Sequence, residues 1–248
     1  MGFKKYIPNA LTMGNLLSGC IAVLFAVQDQ MEYVAFFVAL GIFFDFFDGF
    51  FARLLKVQSE VGLQLDSLAD MVTSGVVPGV VMYQLLLDAT DIPWGASADA
   101  YHFNIAYLGF MVTLASAYRL AKFNVDDRQT HSFIGLPTPA NTLFIISIPL
   151  ILIYGEYAFA KAVFTNPYVL IGIVIASSYM LNAEIHLFAL KFKTWDFGKN
   201  KVRYVFIFTS ILLIIFLQYL AIPLVIVLYV LLSLIFPDKG IKYAPKNE

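Results

Sequence analysis

Long apolar runs separated by short polar breaks dominate the chain. Residues 11–27, 33–55, 65–87, 103–123, 140–154, 168–190, 203–220 and 222–236 each form such a run, near the length that a bilayer core requires. The fifth and eighth are on the short side, and only a tight break near Pro223 parts the last two. The pattern predicts an all-α, polytopic membrane protein with about eight transmembrane helices. The polar stretch D-A-T-D-I-P-W-G-A-S-A-D-A-Y-H reads as a loop, as does the segment holding Asp126, Asp127, Arg128 and His131. Pro137 and Pro139 suit the start of the fifth span. The N-terminal M-G-F-K-K-Y-I-P-N carries Lys4 and Lys5 before an expected break at Pro8, and it reads as a short interfacial segment. No internal repeat and no second domain stand out, so residues 1–248 read as a single membrane domain.

Composition agrees with this picture and narrows it. Of 248 residues, 60% are hydrophobic and 13% are charged, the latter about half the usual fraction. A single cysteine, Cys20, excludes an intrachain disulfide framework, and His102, His131 and His186 lack zinc-ligand spacing. The L-S-G-C string at Cys20 imitates a lipoprotein cleavage box. The apolar run continues past it, however, so Cys20 reads as an ordinary helix residue. Nothing points to a nucleic-acid partner. With eight spans and the N-terminus inside, 15 of the 16 lysines and arginines fall at cytoplasmic ends, leaving only Lys161 outside. The positive-inside rule therefore predicts an inner or plasma membrane protein with both termini cytoplasmic.

Against this apolar background, four carboxylates stand out. Asp45, Asp48, Asp66 and Asp70 sit in or beside segments rich in Phe, Leu and Val, where acids are costly and by default functional. At about 100° per residue, Asp45, Asp48, Gly49 and Ala52 share an arc of about 100°, with Arg53 beside it. Asp66 and Asp70 are an i, i+4 pair on the next helix. Gly49 and Ala52 remove bulk next to the acids. Four carboxylates meeting between two helices repel one another, and divalent ions relieve that repulsion. Oxygen-only ligands favour magnesium, manganese or calcium. A paired-metal site with an arginine suits displacement at phosphorus. The same charge asymmetry puts the acids at the cytoplasmic face. A secondary transporter or cation channel is the alternative of another class, but its acids belong near the midplane, within a repeated architecture.

The string D-x2-D-G-x2-A-R-x8-G-x3-D-x3-D (Asp45, Asp48, Gly49, Ala52, Arg53, Gly62, Asp66, Asp70) resembles the signature of the CDP-alcohol phosphotransferases. These are integral membrane enzymes that make phospholipids from a CDP-linked lipid and an alcohol. The resemblance implies a six-helix catalytic core, about residues 1–195, followed by two additional helices over about 203–236. It implies two Mg2+ or Mn2+ ions per site held by Asp45, Asp48 and Asp66. Asp70 is then the base that takes the hydroxyl proton and a further member of the metal-binding set. Gly49, Ala52, Arg53 and Gly62 match positions around the cytidine–diphosphate pocket. Asn9, Thr12 and Asn15, in P-N-A-L-T-x2-N, resemble the family's first helix. They either line that pocket or bond within the bundle. A homodimer is also implied.

The strings Y-R-L-A-K-F-N-V (118–125) and F-I-G-L-P-T-P-A (133–140) resemble the serine-using branch, the membrane-bound phosphatidylserine synthases. That branch has arginine where Lys122 stands, which removes a forked donor at that position. The implied substrates are CDP-diacylglycerol and L-serine. Arg119, Asn124 and Arg128 are candidates for holding the serine carboxylate. Alternatively, these cations are positive-inside residues at lipid headgroups, or the acceptor is glycerol 3-phosphate or inositol phosphate. Asn182, Glu184 and His186, near the expected end of the sixth span, are candidate cavity-lining groups, with Asn182 and His186 on one helical face.

Overall fold

The computed structural model describes residues 6–90, 104–126, 133–188 and 196–236. The expected interfacial lysines, the polar stretch 91–102, Arg128 and His131 lie outside the described residues. The regular structure among these residues is helical apart from one two-residue antiparallel pair.

Helix α1 (Tyr6–Val27) runs antiparallel to α2 (Met31–Leu54) along most of its length. Pro8 does not break α1, because it falls in the first turn, where no backbone N–H partner is lost. A loop leads to α3 (Glu60–Asp70), whose start is fixed by Ser59: its Oγ accepts from the Gly62 N–H at 3.0 Å. A π-helical turn (Met71–Val76) carries α3 into α4 (Val77–Ala89) without a break. Every residue from Val77 to Leu87 is buried, so α4 is the axis of the bundle. A 3₁₀ turn (Ile105–Phe110), capped by Asn104, leads into α5 (Met111–Val125). Then come β1 (Phe133–Ile134), α6 (Thr138–Tyr154), the short α7 (Ala158–Phe164), α8 (Pro167–Asn182) and β2 (His186–Leu187). The chain closes with α9 (Phe197–Leu217) and α10 (Ala221–Ile235).

Among the described residues, four helical stretches are individually long and apolar enough to cross a membrane, or five when α7 and α8, bent by 73°, count as one. Residues 200–235 enter that count as one stretch, yet they fold back on themselves. The Phe206 and Tyr229 rings are 5.7 Å apart, whereas 23 residues of straight helix would separate them by about 34 Å. The reversal occurs at Gln218, which has φ 47° and ψ −119°. The sequence expectation for the sixth span needs correcting. Helix α8 stops at Asn182 instead of continuing to residue 190, because the following residues are extended and pair with β1. Asn182 and His186 therefore do not share a helical face.

One end of the bundle gathers the start of α2, the ends of α1, α4 and α6, α7 and the α9–α10 turn. There Gln84 donates to Ala26 O (3.0 Å), and Tyr154 stacks on Tyr219 at 5.2 Å. The acids, Arg119 and both short strands lie at the other end.

Candidate active site

The floor of the site is built where α1, α2 and the π-helical turn meet. Their backbones approach closely because Gly19 and Gly41 have no side chains. A Cβ on Gly41 would lie 2.7 Å from Thr73 Cγ2 and 2.9 Å from Asn15 Oδ1, and one on Gly19 would collide with Thr73 Oγ1. Thr73 Oγ1 donates to Asn15 O at 3.1 Å and locks this crossing.

On that floor α2 and α3 bring three acids together. Asp45, Asp48 and Asp66 each present a carboxylate oxygen, all within 4.8 Å of one another. At an effective dielectric of about 20, charges this close repel by about 3 kcal/mol per pair. Helices α1 and α3 hold the group in place nonetheless. Thr12 Oγ1 donates to Asp48 Oδ2 at 2.6 Å, and Asp48 is only 6% exposed. Asp66 Oδ1 is buried and has no hydrogen-bond donor among the described residues. Three converging carboxylates, one with an unsatisfied buried oxygen and all offering hard oxygen ligands, fit a divalent cation such as Mg2+ or Mn2+. Asp70 stands one turn beyond Asp66, outside this triplet but on the wall of the same cavity. Its Oδ1 accepts from Asn15 Nδ2 at 3.1 Å.

Two cavities flank the acids and share Asp48, Gly49, Arg53, Leu63 and Asp66. The first, about 470 Å3, lies toward α1 and the α2–α3 loop, and its wall includes Asn9, Thr12, Ala52 and Gly62. The second, about 430 Å3, lies toward α5 and the start of α6, with Asp45, Asp70, Arg119 and Asn124 in its wall. The Arg53 guanidinium lies over Gly49, where an added Cβ would sit 3.3 Å from Nη1. One cation therefore borders both cavities.

All the signature residues thus meet at one place. Asn15 is not in the wall of either cavity, and it bonds to Asp70 and Thr73. Arg119 is 6% exposed, and its Nη1 donates to Ile134 O (3.0 Å) and Leu181 O (3.4 Å). It has no carboxylate partner among the described residues. Asn124 exchanges hydrogen bonds with Ser67 (2.9 and 3.2 Å), which ties α5 to α3. Lys122 pairs with Glu184 at 3.1 Å, and Asn182 Nδ2 donates to Ala115 O at 3.0 Å, so these polar groups fasten the end of α8 to α5. Arg128 lies outside the described residues. Sequence reasoning missed Ser67, Gln58 and Ser59. Ser67 flanks the acid face of α3, and its position three residues before Asp70 was an available signal. Gln58 and Ser59 belong to the fixed-length loop between Arg53 and Gly62, where only the spacing, and no residue type, pointed to them.

Comparison with known proteins agrees with this geometry. The chain is 32% identical over 139 residues to a CDP-diacylglycerol–serine O-phosphatidyltransferase of Bacillus subtilis, covering 54% of this chain and 70% of the other. It is 30% identical over 151 residues to the protein of the same name from Mycobacterium leprae, of which it covers 46% (58% of this chain). It is 29% identical over 156 residues to the archaetidylserine synthase of Methanothermobacter thermautotrophicus, covering 62% of each. The chain thus spans about two thirds of the length of two of these relatives and under half of the third. Residues 5–195, which carry Asp45, Asp48, Asp66, Asp70 and both cavities, match the family model, and the chain belongs to the CDP-alcohol phosphatidyltransferase family.

Proposed function

We propose that this chain transfers a phosphatidyl group from CDP-diacylglycerol to L-serine, giving phosphatidylserine and CMP. The observation that carries this reading is the pair of cavities meeting at one acid cluster. An in-line displacement needs the leaving group on one side of phosphorus and the nucleophile on the other. The first cavity, with Asn9, Thr12, Gly49, Ala52 and Gly62 in its wall, takes the cytidine diphosphate. The second takes serine. The relatives' names favour serine, because enzymes using different lipid donors share it as acceptor.

In this reading Asp45, Asp48 and Asp66, joined by Asp70, hold two divalent ions, Mg2+ or Mn2+. When bound, such ions neutralise the charge that develops on the diphosphate. Arg53 borders both cavities and holds phosphate oxygens as charge moves between them. Asn15 occupies one oxygen of Asp70, and the other takes the proton of the serine hydroxyl. The serine oxygen forms its bond to the lipid-side phosphorus as the bond from that phosphorus to CMP breaks and CMP keeps the electron pair. Arg119, a buried cation with no carboxylate partner among the described residues, pairs with the serine carboxylate through the part of its guanidinium that the backbone carbonyls leave over. Asn124 borders the same pocket, and Arg128 is assigned to it by sequence only.

The wider reading is a single domain of eight spans, the α9–α10 hairpin following a six-helix core. It is a homodimer in the inner or plasma membrane, with the site and both termini cytoplasmic. Purified protein supplied with CDP-diacylglycerol and, separately, serine, glycerol 3-phosphate or inositol phosphate tests the chemistry by mass spectrometry. Serine should give CMP and phosphatidylserine only with a divalent metal. Asp70→Asn should lower that rate by about 10³ or more, the scale of a lost general base. CMP release with another acceptor alone sinks the serine assignment. Cation flux that survives Asp70→Asn favours a transporter instead.

A further inference from the structure

The wall of the second cavity depends on backbone that no helix supplies, and the C-terminal hairpin grips that backbone. Residues 133–136 cross the end of α8. Phe133 pairs with Leu187 and Ile134 with His186; Gly135 N donates to Ile185 O (2.9 Å) and Leu136 N to Met180 O (2.8 Å). The crossing is tight. Gly135 has φ +75°, and a Cβ there would lie 2.6 Å from Leu181 O. Arg119 donates into this clasp, to the carbonyls of Ile134 and Leu181. The position of its guanidinium at the cavity is therefore set by where the clasp sits.

The clasp is in turn held by α10. Tyr229 Oη donates to Phe188 O at 2.8 Å, and the Phe188 N–H donates to Ser233 Oγ at 3.4 Å. Ser233 Oγ donates to Tyr229 O at 2.8 Å. Tyr229 and Ser233 are one helical turn apart, so one face of α10 captures both main-chain groups of the residue that follows β2. The Phe188 ring packs 4.9 Å from Tyr229 and 5.8 Å from Phe206 of α9, joining both arms of the hairpin to the same point. Ser233 is 1% exposed and Phe188 3%, so water does not replace these bonds. None of Phe206, Tyr229 and Ser233 falls within the matched segment 5–195.

We propose that Tyr229 and Ser233 are positioning residues for the acceptor: through Phe188 and the β1–β2 pair they hold Arg119 where it meets the acceptor's anionic group. The inference rests on the functional reading above. Loosening α10 should leave the first cavity untouched, because α1, α2, α3 and the loop joining α2 to α3 build it.

The test uses the full chain in lipid nanodiscs, with serine and CDP-diacylglycerol varied independently. Tyr229→Phe and Ser233→Ala should each raise the KM for serine about fivefold or more, the scale of one buried hydrogen bond. The KM for CDP-diacylglycerol should stay within about twofold, and Ser233→Thr, which keeps the hydroxyl, should behave as wild type. Unchanged serine KM in both variants overturns the proposal. So does a parallel loss on both substrates, which marks α10 as general scaffolding. Tyr229→Phe carries the test if Ser233→Ala does not fold. If the wild type uses another acceptor, the serine assignment fails, and the KM for that acceptor is read instead. A wild type with no acceptor-dependent CMP release overturns both readings.

Discussion

Asn15 decides how Asp70 is presented to the second cavity. It is fully buried, its amide donates to Asp70, and its own backbone carbonyl is held by Thr73. Leucine is close to asparagine in size and cannot donate, so Asn15→Leu should leave the Asp70 carboxylate without its donor. We expect CMP release to fall about 10- to 100-fold, since a hydrogen bond to a charged group is worth about 1.5–3 kcal/mol. Metal-dependent thermal stabilisation should persist, because the Asp45–Asp48–Asp66 group is intact. A rate within twofold of wild type would remove Asn15 from the account. The acids themselves were readable from the sequence, because their spacing puts them on two helix faces whatever else the chain does. Asn15 was readable only as polar. Its partner is 55 residues away, and nothing local separates a pocket-lining asparagine from one that braces a carboxylate. The same holds for Arg119, whose backbone partners lie in β1 and at the end of α8.

At the scale of elements, α2 and α3 are pressed together through groups that repel. A bound cation should therefore stabilise the folded chain by mass action, by about 2.7 kcal/mol at a hundredfold excess over Kd. Thermal unfolding in detergent should show Tm falling on chelation and recovering with Mg2+ or Mn2+, with the recovery much reduced in Asp48→Asn. A Tm indifferent to metal in the wild type would count against the cation site. The α9–α10 turn offers a separate test. Gln218 has φ 47° and ψ −119°, angles like those of the first central residue of a type II′ turn, where glycine is favoured. Gln218→Gly should relieve about 1 kcal/mol of backbone strain and raise Tm; a lowered Tm would mean that the glutamine side chain contributes more than the turn loses. This hairpin was legible from the tight break near Pro223. The end of α8 was read too far, because the apolar segment before it was extended through Phe188 although residues 182–187 alternate polar and apolar, a strand pattern too short to stand out beside a long helical run. Tertiary bonds override the pattern: β1 and α10 supply main-chain partners to residues 186–188, which makes the extended form the satisfied one.

For the whole molecule, the direction in which the bundle faces decides which substrates reach the acids. The acid cluster and the α9–α10 turn lie at opposite ends, and fifteen of sixteen basic residues fall at the acid end when the sequence is divided into eight spans. In the proposed orientation, which follows positive-inside bias, the acid end faces the cytoplasm, with access to the nucleotide-linked lipid and free serine that the proposed reaction needs. Two exposed lysines mark the two ends: Lys56 follows α2 beside the acids, and Lys161 lies in α7 near the α9–α10 turn. The native thiol, Cys20, is exposed on α1 and is replaced by alanine to give a silent background. In intact spheroplasts a membrane-impermeant maleimide should label Lys161→Cys and leave Lys56→Cys unmodified until the membrane is opened. Reversed labelling would put the acids outside, away from cytoplasmic serine, and the acceptor assignment would fail with it. Labelling of both sites from outside would mean that an even number of crossings, not the three of the eight-span reading, separates Lys56 from Lys161, and the eight-span reading would fall while the acid cluster stood.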